Sequence, residues 1–212
     1  PPACDGTDET CPDRRKPQLT LGEAEVLERL SSIFSVTVHR GSGASFRYKD
    51  RLLPGAGLEI YTPNWVNIDG GDIFPGRSFT EAENNNGSRV VILNAKLAEK
   101  LFDDGDPMDK MVHVNGVPFQ VIGIYHYTAS PMGTPTSAGG GDSPKAIVSW
   151  EVARRDMNFW MGGNNLIVKP MKGATVEEAT DDVTATFRSL RGLRPSQPDN
   201  FAIITQERLL GV

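Results

Sequence analysis

The sequence predicts an α+β domain, with strand–helix units at its two ends and a section of different character between them. Three observations carry this. Two capping boxes, Thr20 with Glu23 and Thr175 with Glu178, each open an amphipathic stripe. Short alternating or wholly apolar runs, bounded by Gly, Pro and Asn, recur between them. The texture of the chain changes at Pro63–Trp65 and again at Gly162–Gly163, which marks off residues 1–16 as a flexible tail, 17–63 and 163–212 as the outer parts and 64–162 as the insert.

Composition sets the bounds. The 212 residues are 38% hydrophobic, enough for a core, and the net charge of −5 with dispersed Lys and Arg excludes a basic nucleic-acid footprint. No run approaches the ~20 apolar residues of a spanning helix. The chain opens on Pro1-Pro2, as an excised piece would.

The first helix is expected over 20–32, with Leu21, Ala24, Val26, Leu27 and Leu30 on its apolar face and Glu25 spaced to pair with Arg29. Phe34, Val36 and Val38 then share one side of a strand. Gly41-Ser42-Gly43 punctuates it, and Ala44 to Tyr48 and Leu52 to Tyr61 read as further strands across a turn at Lys49-Asp50. From Trp65, the residues Gly70, Gly71, Pro75 and Gly76 mark an irregular run, and Asn84 to Ser88 a polar loop. Arg89 to Leu93 is a buried strand, and Asn94 caps a helix over 95–102. Residues 112–122 form a hairpin whose Asn115-Gly116 pair suits a type I′ turn, with Pro118 at an unpaired position.

Residues 128–144 contain four Gly and three Pro with no apolar period, so they read as a long loop. Its Pro131, Met132, Gly139, Gly140 and Asp142 are the candidate interaction residues. A strand over 145–150 and a helix over 151–157 follow. In the last part come a strand at Leu166 to Val168 and a helix over 175–191 with Val176, Ala179, Val183, Phe187 and Leu190 in one stripe. Arg188 and Arg191 favour its C-terminal end, Gly192 stops it, and Phe201 to Ile204 completes a βαβ unit.

Chemistry-bearing patterns are absent. His39 and His113 fall on outward strand positions and His126 near the long loop, with no metal spacing among them. There is no GxSxG elbow, Walker loop or dinucleotide-binding glycine pattern, and the acidic runs lack the alternation of a calcium loop. No catalytic residue, metal site or cofactor is expected, and the chain reads as a non-enzyme. Three readings stay open for Cys4 and Cys11: a short-loop disulfide in an oxidising compartment, a metal clip with Asp5, Asp8 and Glu9, or two unpaired thiols. Trp65, Trp150 and Trp160 read either as a ligand platform or as core and seam, the seam comprising Trp65, Trp160, Gly162 and Gly163.

Several segments, taken in order, carry a resemblance. They are Pro17-Gln18-Leu19-Thr20-Leu21, then Phe74-Pro75-Gly76-Arg77-Ser78-Phe79-Thr80-Glu81 against the pattern GR.FT..E, RVVILNAKLAEKLF at 89–102 with Asp106-Pro107, NGVPFQVIGI at 115–124, and LRPSQPDNFAIIT at 193–205. Over residues 17–208 the chain resembles the periplasmic core domain of MacB-like permeases, the FtsX-type branch of ABC transporters. The resemblance implies a domain inserted between the first and second transmembrane helices on the periplasmic side of a bacterial inner membrane. Its fold would be a Porter-like subdomain of βαβ-type units (17–63 and 163–212) carrying a mixed α/β Sabre-like insert (64–162), with the family's first strand before residue 1. The implied function is mechanotransmission for efflux or export. The implied partners are a second permease copy, a cytoplasmic ATPase domain reached through the transmembrane helices, and a periplasmic adaptor protein. The other expectation is a receptor-type domain that captures a peptide, lipid or antibiotic between its subdomains. The long loop 128–144 and the two N-terminal cysteines depart from the family pattern.

Overall fold

The computed structural model describes residues 17–68, 71–127, 143–157 and 163–205. Eight strands and five α-helices are described: β1 (Ile33–Tyr48), β2 (Arg51–Tyr61), β3 (Asp72–Gly76), β4 (Val90–Asn94), β5 (Met111–Val114), β6 (Val117–His126), β7 (Lys145–Ser149) and β8 (Asn165–Pro170), with α1 (Leu21–Leu27), α2 (Glu81–Asn86), α3 (Ala95–Phe102), α4 (Trp150–Asp156) and α5 (Val176–Leu190). A 3-10 turn at Pro63–Asn67 follows β2. The strands form one mixed sheet in the order β2-β7-β4-β6-β5-β1-β8, with β3 on β6. Because β1 also pairs with β2, the path β1–β2–β7–β4–β6–β5 returns to β1 and closes a ring.

The length of β1 makes this possible. Its first half pairs with β8, and from His39 onward it pairs with β2 while Phe46 and Arg47 reach β5. Gly41-Ser42-Gly43, expected to punctuate, lie inside this one strand. Their positions opposite Glu59, Leu58 and Gly57 keep the backbone in the ladder, which overrides the weak strand preference of glycine. The sheet also runs through both expected parts of the chain, since β2 pairs with β7 and β1 with β5.

Neighbouring residues sort into two apolar clusters, as strand geometry requires. Val91, Leu93, Val121, Ala146 and Val148 face the larger cluster, joined by Leu27, Leu97, Leu101, Val152, Ala179, Val183 and Phe187 of the helices. Ile92, Ile122 and Ile147 face the opposite way, into a smaller cluster with Tyr61, Trp65, Phe79 and Tyr125.

Covering both faces corrects several sequence-based expectations. Phe34 is exposed and Ile33 buried, because a register shift between Ile33 and Ser35 turns Phe34 outward. Ser35, Thr37 and His39, expected on the solvent side, are buried. Helix α1 stops at Leu27. Arg29 N–H and Leu30 N–H bond three residues back, to Val26 and Leu27, so the chain tightens out of the α-register and Glu25 does not pair with Arg29. The polar loop expected at Asn84 to Ser88 is instead the last turn of α2 and its left-handed Gly87 cap (φ 63°). Residues 201–205 form no strand, so α5 completes no βαβ unit. Phe201 and Ile203 pack against the core by side chain, and β8 runs antiparallel to β1.

Other expectations hold. Asn94 Oδ1 caps α3 through Leu97 N–H at 2.9 Å, and the same atom accepts Lys145 N–H at 3.0 Å. Asn115 and Gly116 take φ of 48° and 82° in the β5–β6 turn. Pro118 sits opposite His113, and its missing N–H goes unused because β4 pairs with β6 only from Gln120 on.

Candidate functional site: an aromatic wedge and a joint at the chain's two ends

The Phe74–Glu83 stretch, read from the sequence as irregular, is tightly determined. Thr80 and Glu83 form a capping box at the start of α2, a signal present in the sequence as Thr-x-x-Glu. Arg77 donates to both carboxylate oxygens of Glu83 at 2.8 Å. The Arg77 bonds, opposed by partial burial and helped by Thr80, hold the Glu83 carboxyl at about 2, below its ordinary 4.5. Gly76 (φ 96°) presses so close to β6 that a Cβ would stand 2.2 Å from Ile122 O. This anchors Phe79 against Trp65 (ring centroids 6.5 Å apart), which also stacks on Tyr61 (5.4 Å) and meets Tyr125 edge-on (5.8 Å). The wedge thereby ties the 3-10 turn, β3, α2 and β6 into one body.

A group with a depressed folded-state pKa contributes stability above its unfolded pKa and loses it as pH falls through the folded value. The Arg77–Glu83 pair should therefore act fully above pH 4.5 and fade between 4.5 and about 2. Glu83→Gln keeps the capping box but loses the ion pair, so at pH 7 it should cost about 1 kcal/mol. Urea melts of both proteins should converge as pH drops through that window; a constant gap would contradict the assignment.

In a separate cluster, Arg191 gathers the first and last described segments. Its side chain is only 6% exposed. Nε donates to Glu23 Oε1 at 2.8 Å, and one terminal nitrogen bonds Asn200 through Oδ1 (3.1 Å) and O (3.3 Å). The other reaches Gln18 O at 3.5 Å, and the guanidinium lies over the rings of Phe187 (5.0 Å) and Phe201 (5.8 Å). Burial would raise the pKa of Glu23. The Arg191 bond and charge, with the Thr20 donors, outweigh it and hold the carboxyl below its usual range. Beside this joint, Gly163 N–H bonds Gln18 Oε1, and Asn164 Nδ2 bonds Leu19 O at 3.0 Å. Sequence reading assigned Arg191 only to the helix dipole; its partners lie up to 173 residues away and left no local signal.

The expected site residues fall as follows. Trp65 is core, 2% exposed, with no hydrogen-bond partner for Nε1 among the described residues. Gly163 lies at the Arg191 joint, and no hydrogen bond or ring contact among the described residues links it to Trp65. Trp160 and Gly162 of the expected seam lie outside the described residues. So do Cys4 and Cys11 and the interaction-loop residues Pro131, Met132, Gly139, Gly140 and Asp142. His39 is not outward but buried, its Nε2 2.5 Å from Glu59 Oε2 and its ring 4.6 Å from that of Tyr61. His126 Nε2 bonds Phe74 O at 2.7 Å. Among the described residues no group of three or more His, Cys, Asp or Glu side chains could hold a metal ion, and no helix is long and apolar enough to cross a membrane.

Known proteins share this architecture. The periplasmic region of MacB from Actinobacillus actinomycetemcomitans superposes with a TM-score of 0.75 at 22% identity, covering 94% of this chain and 86% of that one. The extracellular domain of the transporter YknZ from Gram-positive bacteria gives a TM-score of 0.68 at 18% identity over 84% of this chain and 86% of that one. These likenesses establish the fold. In sequence, the ABC transporter permease YknZ of Bacillus subtilis is 37% identical over 105 residues, 50% of this chain and 26% of that protein. The macrolide export protein MacB of Neisseria gonorrhoeae is 29% identical over 106 residues, 50% of this chain and 16% of its own length. The chain thus spans a minor part of the relatives it matches. Residues 5–186 match the family of MacB-like periplasmic core domains, and the chain belongs to that family.

Proposed function

We propose that this domain transmits force: motion delivered by transmembrane helices at its two ends is carried through the Arg191 joint to the body of the sheet. The family is one of transporter-permease domains, a non-enzyme kind, placed on the extracytoplasmic side of the membrane. The observation that supports transmission is that Gln18 and Asn200, near the two ends of the described chain, are held by one buried guanidinium. Two legs so joined move as a unit. A domain inserted between consecutive membrane helices needs this, because it must begin and end at the same place.

In this reading ATP is hydrolysed by a cytoplasmic ATPase domain, and two permease copies open and close against each other to drive efflux or export. An adaptor protein on the periplasmic side would receive the motion. Relatives named for export of macrolides and of pyoverdine, each with an ATP-binding component, support the direction of transport. The Porter-like and Sabre-like division (17–63 with 163–212, and 64–162) would then separate the leg-bearing part from the part that meets partners.

Single cysteines along the exposed side of α5, at Glu177 and Asp181, test this in the full transporter lacking Cys4 and Cys11. Their crosslinking to the second copy should differ between nucleotide-free and ATP-bound states. Equal yields in both states would remove the basis for the reading.

A further inference from the structure

A cleft of about 340 Å³ is lined by α1 on one side and by α2 and the start of α4 on the other. It straddles the expected boundary at residue 63, since its lining comes from residues 21–64 on one side and from 81–85 and 150–151 on the other. The floor is apolar: Val36, Val38 and Trp150, with the half-exposed Leu21 at the lip. The rim is acidic, with Glu25 and Glu28 on one wall and Glu81 and Glu151 on the other. No Lys, Arg or His lines the cleft.

The rim charge is largely uncompensated. Glu151 pairs with Arg154 at 2.7 Å, but Glu25, Glu28 and Glu81 make no ion pair among the described residues. Glu28 Oε1 is fixed by neutral donors only: Val36 N–H at 3.4 Å, Ser35 Oγ at 3.5 Å and Asn64 Nδ2. Asn84, 92% buried by its 8% exposure, braces the far wall by accepting Glu151 N–H at 3.2 Å.

We propose that this cleft docks a basic segment of a partner protein, with a Lys or Arg side chain between the rim carboxylates and an adjacent apolar side chain on the Trp150 floor. The charge of the site selects the sign of the partner. A second copy of this chain, itself at −5, brings no net positive charge to meet this rim. The shape selects the class. Small-molecule sites enclose most of their ligand, whereas this cleft is open along one side. A side chain carried on a protein brings the rest of its surface to close that side, as the rim of a protein interface does. The inference goes beyond force transmission and does not depend on it.

The test is titration of the isotope-labelled 212-residue chain with a short blocked peptide of alternating lysine and leucine, followed by NMR. Controls are the glutamate–leucine analogue and octylamine. Saturable shifts are expected around Val36–Val38 and at the Trp150 indole, with neither control matching them. Glu25→Gln with Glu81→Gln, two groups with no described bond to lose, should weaken the lysine–leucine peptide about tenfold. Its melting temperature should be unchanged. If the double variant does not fold, raising salt from about 50 to about 500 mM on the natural chain must weaken binding comparably. Absent saturation, equal binding of the acidic peptide, or insensitivity to both the substitutions and salt would overturn the proposal. Octylamine binding at the same residues as tightly as the peptide would overturn the protein partner in favour of a small cationic amphiphile.

Discussion

Trp65→Ala is expected to destabilise the domain by about 3–5 kcal/mol, a large part of the ~5–15 kcal/mol that holds a domain together. Trp65 is the centre of the smaller cluster, touching Tyr61 of β2, Phe79 before α2 and Tyr125 of β6. Truncation leaves a cavity that these rings cannot close, because Tyr61 and Tyr125 are held in the sheet and Phe79 by the Gly76–Glu83 anchor. Trp65→Phe should cost far less, about 1 kcal/mol. Its indole N–H makes no described hydrogen bond, so little is lost besides volume. Chemical denaturation of both variants checks this. Equal losses would mean that the indole N–H, not the ring volume, carries the contribution.

Arg191→Ala should cost about 3 kcal/mol at pH 7, because Glu23 is left buried without its cation and Phe201 loses its guanidinium cover. The pH dependence separates this from mere loss of packing. In the natural chain Glu23 has a lowered pKa, so its contribution is present above the unfolded pKa and fades on acidification. In the variant the Arg191 bond and charge are gone and only the Thr20 bonds oppose burial, so the carboxyl is held down less and loses less on acidification. The gap between the two proteins should narrow as pH falls below about 4.5. Arg191→Met with Glu23→Gln removes both charges, keeps the Thr20 capping box and should regain part of the stability. On the force-transmission reading, Arg191→Ala should uncouple ATP hydrolysis from export in the full transporter, and the paired substitution, which also lacks the bonds to Gln18 and Asn200, should regain stability without regaining coupling. A variant that transports normally would show that the legs need no such clamp.

The wedge and the joint differ in how visible they are in the amino-acid string. The anchor that sets Phe79 in the wedge is local, a capping box three residues apart with a glycine before Arg77, whereas the meeting of Trp65 with Tyr125 is not. The reading of an irregular run at Gly70 to Gly76 and a polar loop at Asn84 to Ser88 missed α2 because three asparagines outweighed the Thr80–Glu83 signal, although the capping box itself was legible. The acidic cleft is less visible still, since its carboxylates come from helices separated by up to 126 positions (Glu25 to Glu151).

The sequence by itself determined the elements that depend on near neighbours. The capping boxes at Thr20 and Thr175, the Asn94 cap, the Asn115-Gly116 turn, the buried Ala179, Val183 and Phe187 of the α5 stripe (its ends Val176 and Leu190 are exposed) and the resemblance to a permease domain all follow from bonds or spacings spanning a few residues. Tertiary structure alone decided what lies on the second face of the sheet. There His39 turned from a surface residue into one buried against Glu59, because alternation tells which side a residue faces but not whether that side is covered. It also decided that β1 runs unbroken through its glycines, since ladder bonds to β2 outweigh glycine's local preference. And it decided that Phe201 to Ile204 stays out of the sheet while Arg191 binds the first and last described segments, a contact across 168 residues that no local pattern encodes.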